Sequence, residues 1–233
     1  MPRAANLFSR CALSMALLMA PAWAGAADDF SAAEQALFLD NHLRTLQPPL
    51  TLHYAYRKTG TLEEPFTDSV DVMLTARSDR TCCAASTRFF SGARSMKQPD
   101  VEGAEGNPAI FYFLERDIRE MERLTTGKPN YFRKRIRMAV YQSAAIRNVT
   151  LSYRGRPVPV REVTISPYLD DPNRARFEKF TNKQYVFMLS PDVPGGVFGI
   201  RTRIGGATAD APPLLAEEMF LDGVDPAPSP RQP

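Results

Sequence analysis

LTLHYAYRK, residues 50–58, and FTDSVDVMLTA, residues 66–76, carry the alternation that decides the fold. In the first, Leu52, Tyr54 and Tyr56 alternate with Thr51, His53 and Ala55. In the second, Phe66, Val70, Val72 and Leu74 alternate with Thr67, Asp71, Met73 and Thr75. A period of two gathers the apolar set on one face and a mixed set on the other. That is the pattern of an antiparallel sheet with one wet side. Thr59-Gly60 turns the chain between elements, and Thr81–Phe90 supplies a third strand. Ser91–Gly106, punctuated by Gly92, Pro99, Gly103 and Gly106, reads as a loop.

Outward from these strands the pattern changes to helical spacing. Ser31 with Glu34 forms a capping box ahead of Leu37, Leu39, Leu43 and Leu46, predicting a helix over 31–46 that Pro48-Pro49 stops. Asn107-Pro108 opens a second helix, with Ile110, Phe111, Leu114, Ile118, Met121 and Leu124 along one side. Its charges, ERDIREMER, form i,i+4 pairs such as Glu115–Arg119 and Arg116–Glu120 and read as a solvated face. A third helix over 130–145 places Phe132, Ile136, Ala139 and Val140 in one arc. Strands follow at 148–153, 158–165, 184–189, 197–204 and 214–221, with a short helix near 173–180 and a turn at Pro194-Gly195. The fold class is therefore α+β: a largely antiparallel, curved sheet packed against an N-terminal helix and a central helix pair.

The chain has 233 residues, and its first 26 read as a secretory signal peptide. Arg3 and Arg10 make a positive start, Cys11–Ala20 is apolar, and small residues at Ala22, Ala24 and Ala26 suit cleavage near Ala24 or Ala26. The apolar run is shorter than the roughly 20 residues of a spanning helix, and no later segment reaches that length. Loss of Arg3 and Arg10 takes 29 Lys+Arg to 27, against 26 Asp+Glu, so the processed chain is nearly neutral. No basic excess points to nucleic acid. With 44% hydrophobic residues, 27–224 is expected to be one globular domain, and 225–233, DPAPSPRQP, a disordered tail. Arginine-rich, alanine- and proline-rich usage together with the signal suggests a bacterial periplasm.

Cys82 and Cys83 are then the only cysteines, in an oxidising compartment. On a strand, neighbouring side chains point to opposite faces. A bridge between neighbours needs a distorted backbone, because consecutive Cα atoms lie about 3.8 Å apart and ordinary disulfides want about 4.4–6.8 Å. Such a bridge would be easily reduced and suit a redox switch. The reading adopted is two separate thiols, one of them buried. No cofactor or metal is expected, since only His42 and His53 could join the cysteines in a site.

Catalytic motifs are missing. There is no G-x-S-x-G and no H-E-x-x-H, and neither histidine has an acid beside it in sequence. The acid pairs Glu63-Glu64, Asp170-Asp171 and Glu217-Glu218 are poor acid/base pairs, because neighbours on a strand face opposite ways. Apolar surface is more plentiful. QYVFML, 184–189, is apolar on both faces, which fits either a doubly covered central strand or an apolar groove lined by Tyr54, Tyr56, Tyr185 and Phe187. The most basic stretch is the third helix, whose Arg133 and Arg137 lie one turn apart.

GNPAIFYFLERDIREM, YFRKRIRMAV, PYLDDPNRARFEKF and LSPDVPGG resemble core segments of an uncharacterised family of exported proteobacterial proteins, which lends no known activity. The order of elements is also loosely similar to the LolA-like half-barrels that carry lipoproteins across the periplasm; this likeness transfers no site residues. The function expected is a non-catalytic periplasmic protein that binds an apolar or lipidated envelope ligand. One alternative is a module that docks an envelope protein or anionic glycolipid through the basic helix 130–145. An enzyme without a recognisable motif is the other.

Overall fold

The computed structural model describes residues 30–79, 82–208 and 210–225. The signal-peptide reading of 1–26, and all of the tail after Asp225, lie outside them. Ten strands form one antiparallel sheet in the order β10-β5-β6-β7-β8-β9-β1-β2-β3-β4. The two alternating segments form β1 (Leu50–Thr59) and β2 (Phe66–Ala76), which pair from Leu50↔Leu74 to Lys58↔Phe66. Their alternation holds, with Tyr54, Tyr56, Val70, Val72 and Leu74 buried on one face. β3 (Cys82–Phe89) and the two-residue β4 (Met96–Lys97) complete this side.

The other side is a meander. β5 (Ala145–Tyr153), β6 (Arg156–Ile165), β7 (Gln184–Leu189), β8 (Val197–Ile204) and β9 (Leu215–Leu221) pair in succession, and β9 pairs with β1 to join the halves. β10 (Val224–Asp225) then pairs with Tyr153 and Ser152 of β5. In a flat sheet β10 would lie five strand spacings, roughly 24 Å, from β9. Only Asp222 and Gly223 separate the two strands, a reach of about 11 Å. The sheet must therefore curl. Backbone bonds from Asp222 N to the His53 carbonyl (2.8 Å) and from Arg154 N to the Gly223 carbonyl (2.7 Å) fasten the end of β5 near the start of β1. The curl also buries Met188 and Phe220 on the face opposite Phe187, so β7 is enclosed on both sides.

Two helices cover the other face. α2 (Pro108–Thr125) follows an Asn107 cap whose side chain accepts from Ala109 N, and contacts β2, β3 and β8. α3 (Pro129–Gln142) packs beside it and on β6, through buried Phe132, Ile136, Ala139 and Val140. Asn107 also donates to the Tyr54 hydroxyl and the Gly195 carbonyl, each at 2.8 Å, anchoring the start of α2. Gly195 has φ +72, as the expected turn requires, and a Cβ there would lie 2.4 Å from Leu52.

The N-terminal helix is shorter than its leucine spacing predicts. The Ser31–Glu34 capping box forms, but α1 (Ala32–Glu34) runs into a π-helical turn at Gln35–Leu39 and stops. Gln35 donates its side chain to Asp40 at 2.9 Å, and Leu43 N is shared between the Asn41 side chain and the Glu105 carbonyl, so no helical carbonyl is needed and Leu43 is buried from a turn. The helix expected near 173–180 is two 3₁₀ turns, Arg174–Arg176 and Glu178–Phe180. α3 ends at Gln142 rather than Ala145, and the freed residues start β5. Asp225, placed in the tail by composition, pairs in β10. Phe111, placed on the buried side of α2, is 55% exposed.

The largest correction concerns Cys82 and Cys83. They are joined in a disulfide rather than left as separate thiols. The expectation assumed a trans strand whose neighbouring side chains diverge; the peptide between them is cis, and the two sulfurs meet.

Candidate functional site

The charges of α2 read as solvated in the sequence are instead the inner wall of a polar seam. Arg116 and Asp117 face the sheet and are buried. β1 supplies Tyr56 and Lys58, β8 Thr202, β9 Glu217 and β7 Tyr185, with Lys183 immediately before β7. Arg116 Nη1 meets Glu217 Oε1 at 2.5 Å, where the Tyr56 hydroxyl also donates at 2.9 Å, and Thr202 donates to Oε2 at 3.0 Å. Lys183 Nζ meets Asp117 Oδ1 at 2.5 Å, and the Tyr185 hydroxyl donates to Oδ2 at 2.6 Å. At the seam's open end Lys58 binds Glu120 (2.5 Å) and Glu63, and Arg123 closes over both acids.

The electrostatics follow from burial and pairing. Burial alone would raise the Glu217 carboxyl, but Arg116, Lys183 and Lys58 hold it down at about 2. Glu120 is likewise held far below the carboxylate range against its burial, by Arg123, Glu63 and Lys58. Asp117 goes the other way: burial raises its carboxyl, and Glu217 adds to this, against the pull of Lys183. Burial also raises the hydroxyls of Tyr56 and Tyr185, helped by Glu217 and Asp117 respectively. Both oxygens of each innermost carboxylate are taken by protein donors. The seam therefore has the chemistry of a fastening between α2 and the sheet, with no unsatisfied oxygen offered to a substrate.

The residues singled out in the sequence do not form one site. Tyr54, Tyr56, Tyr185 and Phe187 all lie in the interior under the helices, none more than 1% exposed. Three of them carry their hydroxyls into polar bonds: Tyr54 with Asn107, Tyr56 with Glu217 and Tyr185 with Asp117. The Tyr185 and Phe187 rings stack, 6.5 Å between centroids. Arg133 does not project free into solvent. It forks onto Glu115 through Nε (2.8 Å) and Nη2 (2.6 Å) and reaches Asn130 through Nη1, because α2 presents Glu115 to the facing turn of α3. Arg137 is exposed, one turn further along.

Sequence reading missed the seam because its partners meet across long separations; Arg116 and Glu217 are 101 residues apart. One signal was present. Asp117 falls four residues after Phe113, three after Leu114 and four before Met121, inside the apolar stripe. The expectation that Glu217 and Glu218 face opposite ways holds, since Glu218 lies outside with Arg57 and Arg201 while Glu217 is fully buried. His53, by contrast, does have an acid: Asp71 is its cross-strand partner, Nδ1 to Oδ1 2.7 Å, with Arg88 on the other oxygen. Burial would raise Asp71, but His53 and Arg88 bring it below its ordinary value. His42 is tied by Nε2 to the Ala36 carbonyl and accepts from Asn107 N, and burial lowers its pKa.

Among the described residues no cluster of His, Cys, Asp or Glu is arranged to hold a metal, and no helix is long and apolar enough to cross a membrane. No family model matches the chain. No curated protein matches it either. Among solved structures, the Mycobacterium tuberculosis lipoprotein LppX is similar over 86% of this chain and 97% of its own, at 8% identity and a TM-score of 0.33. A likeness of that size carries no argument about fold or function.

Proposed function

We propose that the protein is a non-catalytic binding protein of the periplasm whose ligand is apolar or carries a lipid chain. The observation that carries the reading is where apolar side chains are left in water. Among the described residues eight large hydrophobic side chains are exposed, and five of them (Phe30, Phe38, Leu39, Tyr141 and Ile146) belong to the N-terminal turn, the end of α3 and the start of β5. These segments adjoin: Ser31 Oγ donates to the Val140 carbonyl at 3.3 Å, and β5 begins just after α3. Apolar residues gathered at one place on a surface mark a contact for another apolar body. The paired state of the buried carboxylates supports the non-catalytic part of the reading.

Docking of an anionic partner through helix 130–145 is the weaker alternative, because Arg133 already has both outer nitrogens occupied. The test is a titration with dansyl-labelled palmitate, together with mass spectrometry of lipid extracted from protein purified from a periplasm. Saturable binding, weakened when Phe38 and Tyr141 are changed to Ser, is expected. Absence of both saturable binding and co-purifying lipid overturns the reading.

A further inference from the structure

The face of the sheet turned away from α2 and α3 carries a group of arginines with too few acids to match. Tyr56, Tyr185, Thr202 and Glu217 point toward the helices, so their strand neighbours Arg57, Gln184, Arg201, Arg203 and Glu218 point the other way. Register sets these side by side. Glu218 lies between Arg57 of β1 and Arg201 of β8, while Arg203 lies between Ala216 of β9 and Gln184 of β7. Same-face neighbours along a strand are about 6.6 Å apart and adjacent strands about 4.8 Å, so the three guanidiniums share one small area.

Glu218 serves both of its neighbours. Its Oε2 accepts from Arg57 through Nη2 and, at 3.2 Å, through Nε, and its Oε1 lies 3.1 Å from Arg201 Nε. The Arg201 guanidinium also stands over the Phe220 ring, 4.9 Å from its centroid. Burial lowers the pKa of Arg201, and Arg57 adds to this, against the pull of Glu218 and Glu162. The other acids of this face are engaged: Glu162 accepts from Arg147 Nε at 2.9 Å, and Asp71 holds His53 and Arg88. Arg203 is left over. It is half-buried, and its Nε is shut off from solvent with no acceptor among the described residues. A buried N–H in that state carries a desolvation cost that an incoming oxygen would relieve. Neither cross-strand neighbour supplies a counter-charge, since Ala216 ends at a methyl group and Gln184 carries a neutral amide.

We propose that this outer face, at Arg203, is a binding site for a phosphate monoester group. Arg57, Arg201 and Arg203 against the single Glu218 leave two positive charges. A phosphate monoester brings a charge of about −1.5 to −2 at pH 7 and three acceptor oxygens, which matches that excess where a carboxylate would fall short. Arg203 forks onto two of the oxygens through Nε and one Nη, and Arg57 and Arg201 supply the surrounding positive field. The same chemistry is offered by a soluble phosphate and by the head of phosphatidic acid. The site lies across the sheet from the helices, and the inference stands apart from the lipid-binding reading.

The test is a titration of the full chain with inorganic phosphate at constant ionic strength, followed by calorimetry and by the arginine Nε–Hε signals in NMR. The Arg203 signal is expected to move and to saturate. Arg203→Gln should weaken phosphate binding at least about tenfold, the loss of a charged hydrogen-bonded fork. Glu218→Gln should tighten it, because the competing carboxylate is gone, whereas Asp192→Asn, the same charge change on an exposed turn at the other end of β7 and β8, should leave it unaltered. Co-sedimentation with phosphatidylcholine vesicles containing phosphatidic acid separates the two sources. Vesicle binding that depends on Arg203 identifies the lipid head, and Arg203-dependent binding of inorganic phosphate without vesicle binding identifies a soluble phosphate. A shift no larger than chloride produces, phosphate binding that survives Arg203→Gln, or acetate bound as tightly as phosphate overturns the proposal.

Discussion

Replacing Lys183 by Met tests the seam beneath α2 most directly. Methionine keeps most of the lysine stem and its volume, so the substitution removes the charge and little packing. Lys183 and Asp117 are each 0% exposed, with Nζ and Oδ1 2.5 Å apart. Without Lys183 the aspartate keeps one donor, the Tyr185 hydroxyl. Removing one partner of a buried ion pair costs about 3–5 kcal/mol, because the remaining charge stays desolvated. Adding Asp117→Asn should recover more than half of that loss, since the amide oxygen still accepts from Tyr185 and no charge is stranded. Urea denaturation followed by circular dichroism measures both changes as shifts of midpoint at constant slope. The pH dependence has a definite sign. Burial already raises the Asp117 carboxyl, and loss of Lys183 raises it further. The folded state then binds the proton more tightly than the unfolded one, so the single variant should regain stability as pH falls toward the raised value. A loss below about 1 kcal/mol for Lys183→Met, or no recovery on adding Asp117→Asn, would refute the buried-pair account.

Glu217 should govern part of the acid limb. Held at about 2 against an ordinary 4.5, it contributes roughly 3 kcal/mol. That contribution is present above the ordinary value and is lost as pH falls through the folded one, so Glu217→Gln should flatten the acid denaturation profile over this window. On α2, Phe113→Ala should cost about 3–5 kcal/mol from a fully buried site, whereas Phe111→Ser, two residues earlier and exposed, should change stability by less than about 0.5 kcal/mol in the same urea assay. Arg133→Gln should cost at most about 1 kcal/mol, because its fork with Glu115 is partly exposed, and the difference should shrink when denaturation is repeated in high salt.

The elements that were legible in the sequence are those whose signal is local. LTLHYAYRK and FTDSVDVMLTA read correctly because one face is buried and the other, Asp71 apart, mostly wet. The Asn107-Pro108 start of α2 read correctly because a cap needs only neighbouring residues. Failures have a common physical origin in partners supplied from elsewhere. ERDIREMER obeys the i,i+4 rule for a solvated face, yet Arg116 and Asp117 find their counter-charges on β9 and at the start of β7. Leu43 fits a helical stripe but is buried from a turn, because the Asn41 side chain accepts its backbone N–H in place of a helical carbonyl. For the candidate site, the aromatic residues were found and their setting was not. Nothing within QYVFML shows that the Tyr185 hydroxyl will meet an aspartate 68 residues away.

The seam between the two halves of the sheet has a consequence for the order in which the molecule can be built. β1 is among the first strands made and β9 nearly the last, and Tyr54 lies beside Leu221. The β1–β4 group and the β5–β8 meander each hold together by near neighbours; among the strand pairings of the described residues, β9 joins them and β10 ties the meander's free end. A polypeptide made from its first residue onward has both groups available while the splice between them is still missing. Loop-closure entropy delays contacts of such separation. Completion therefore waits on the final strands, β9 and β10, long after both groups are on hand.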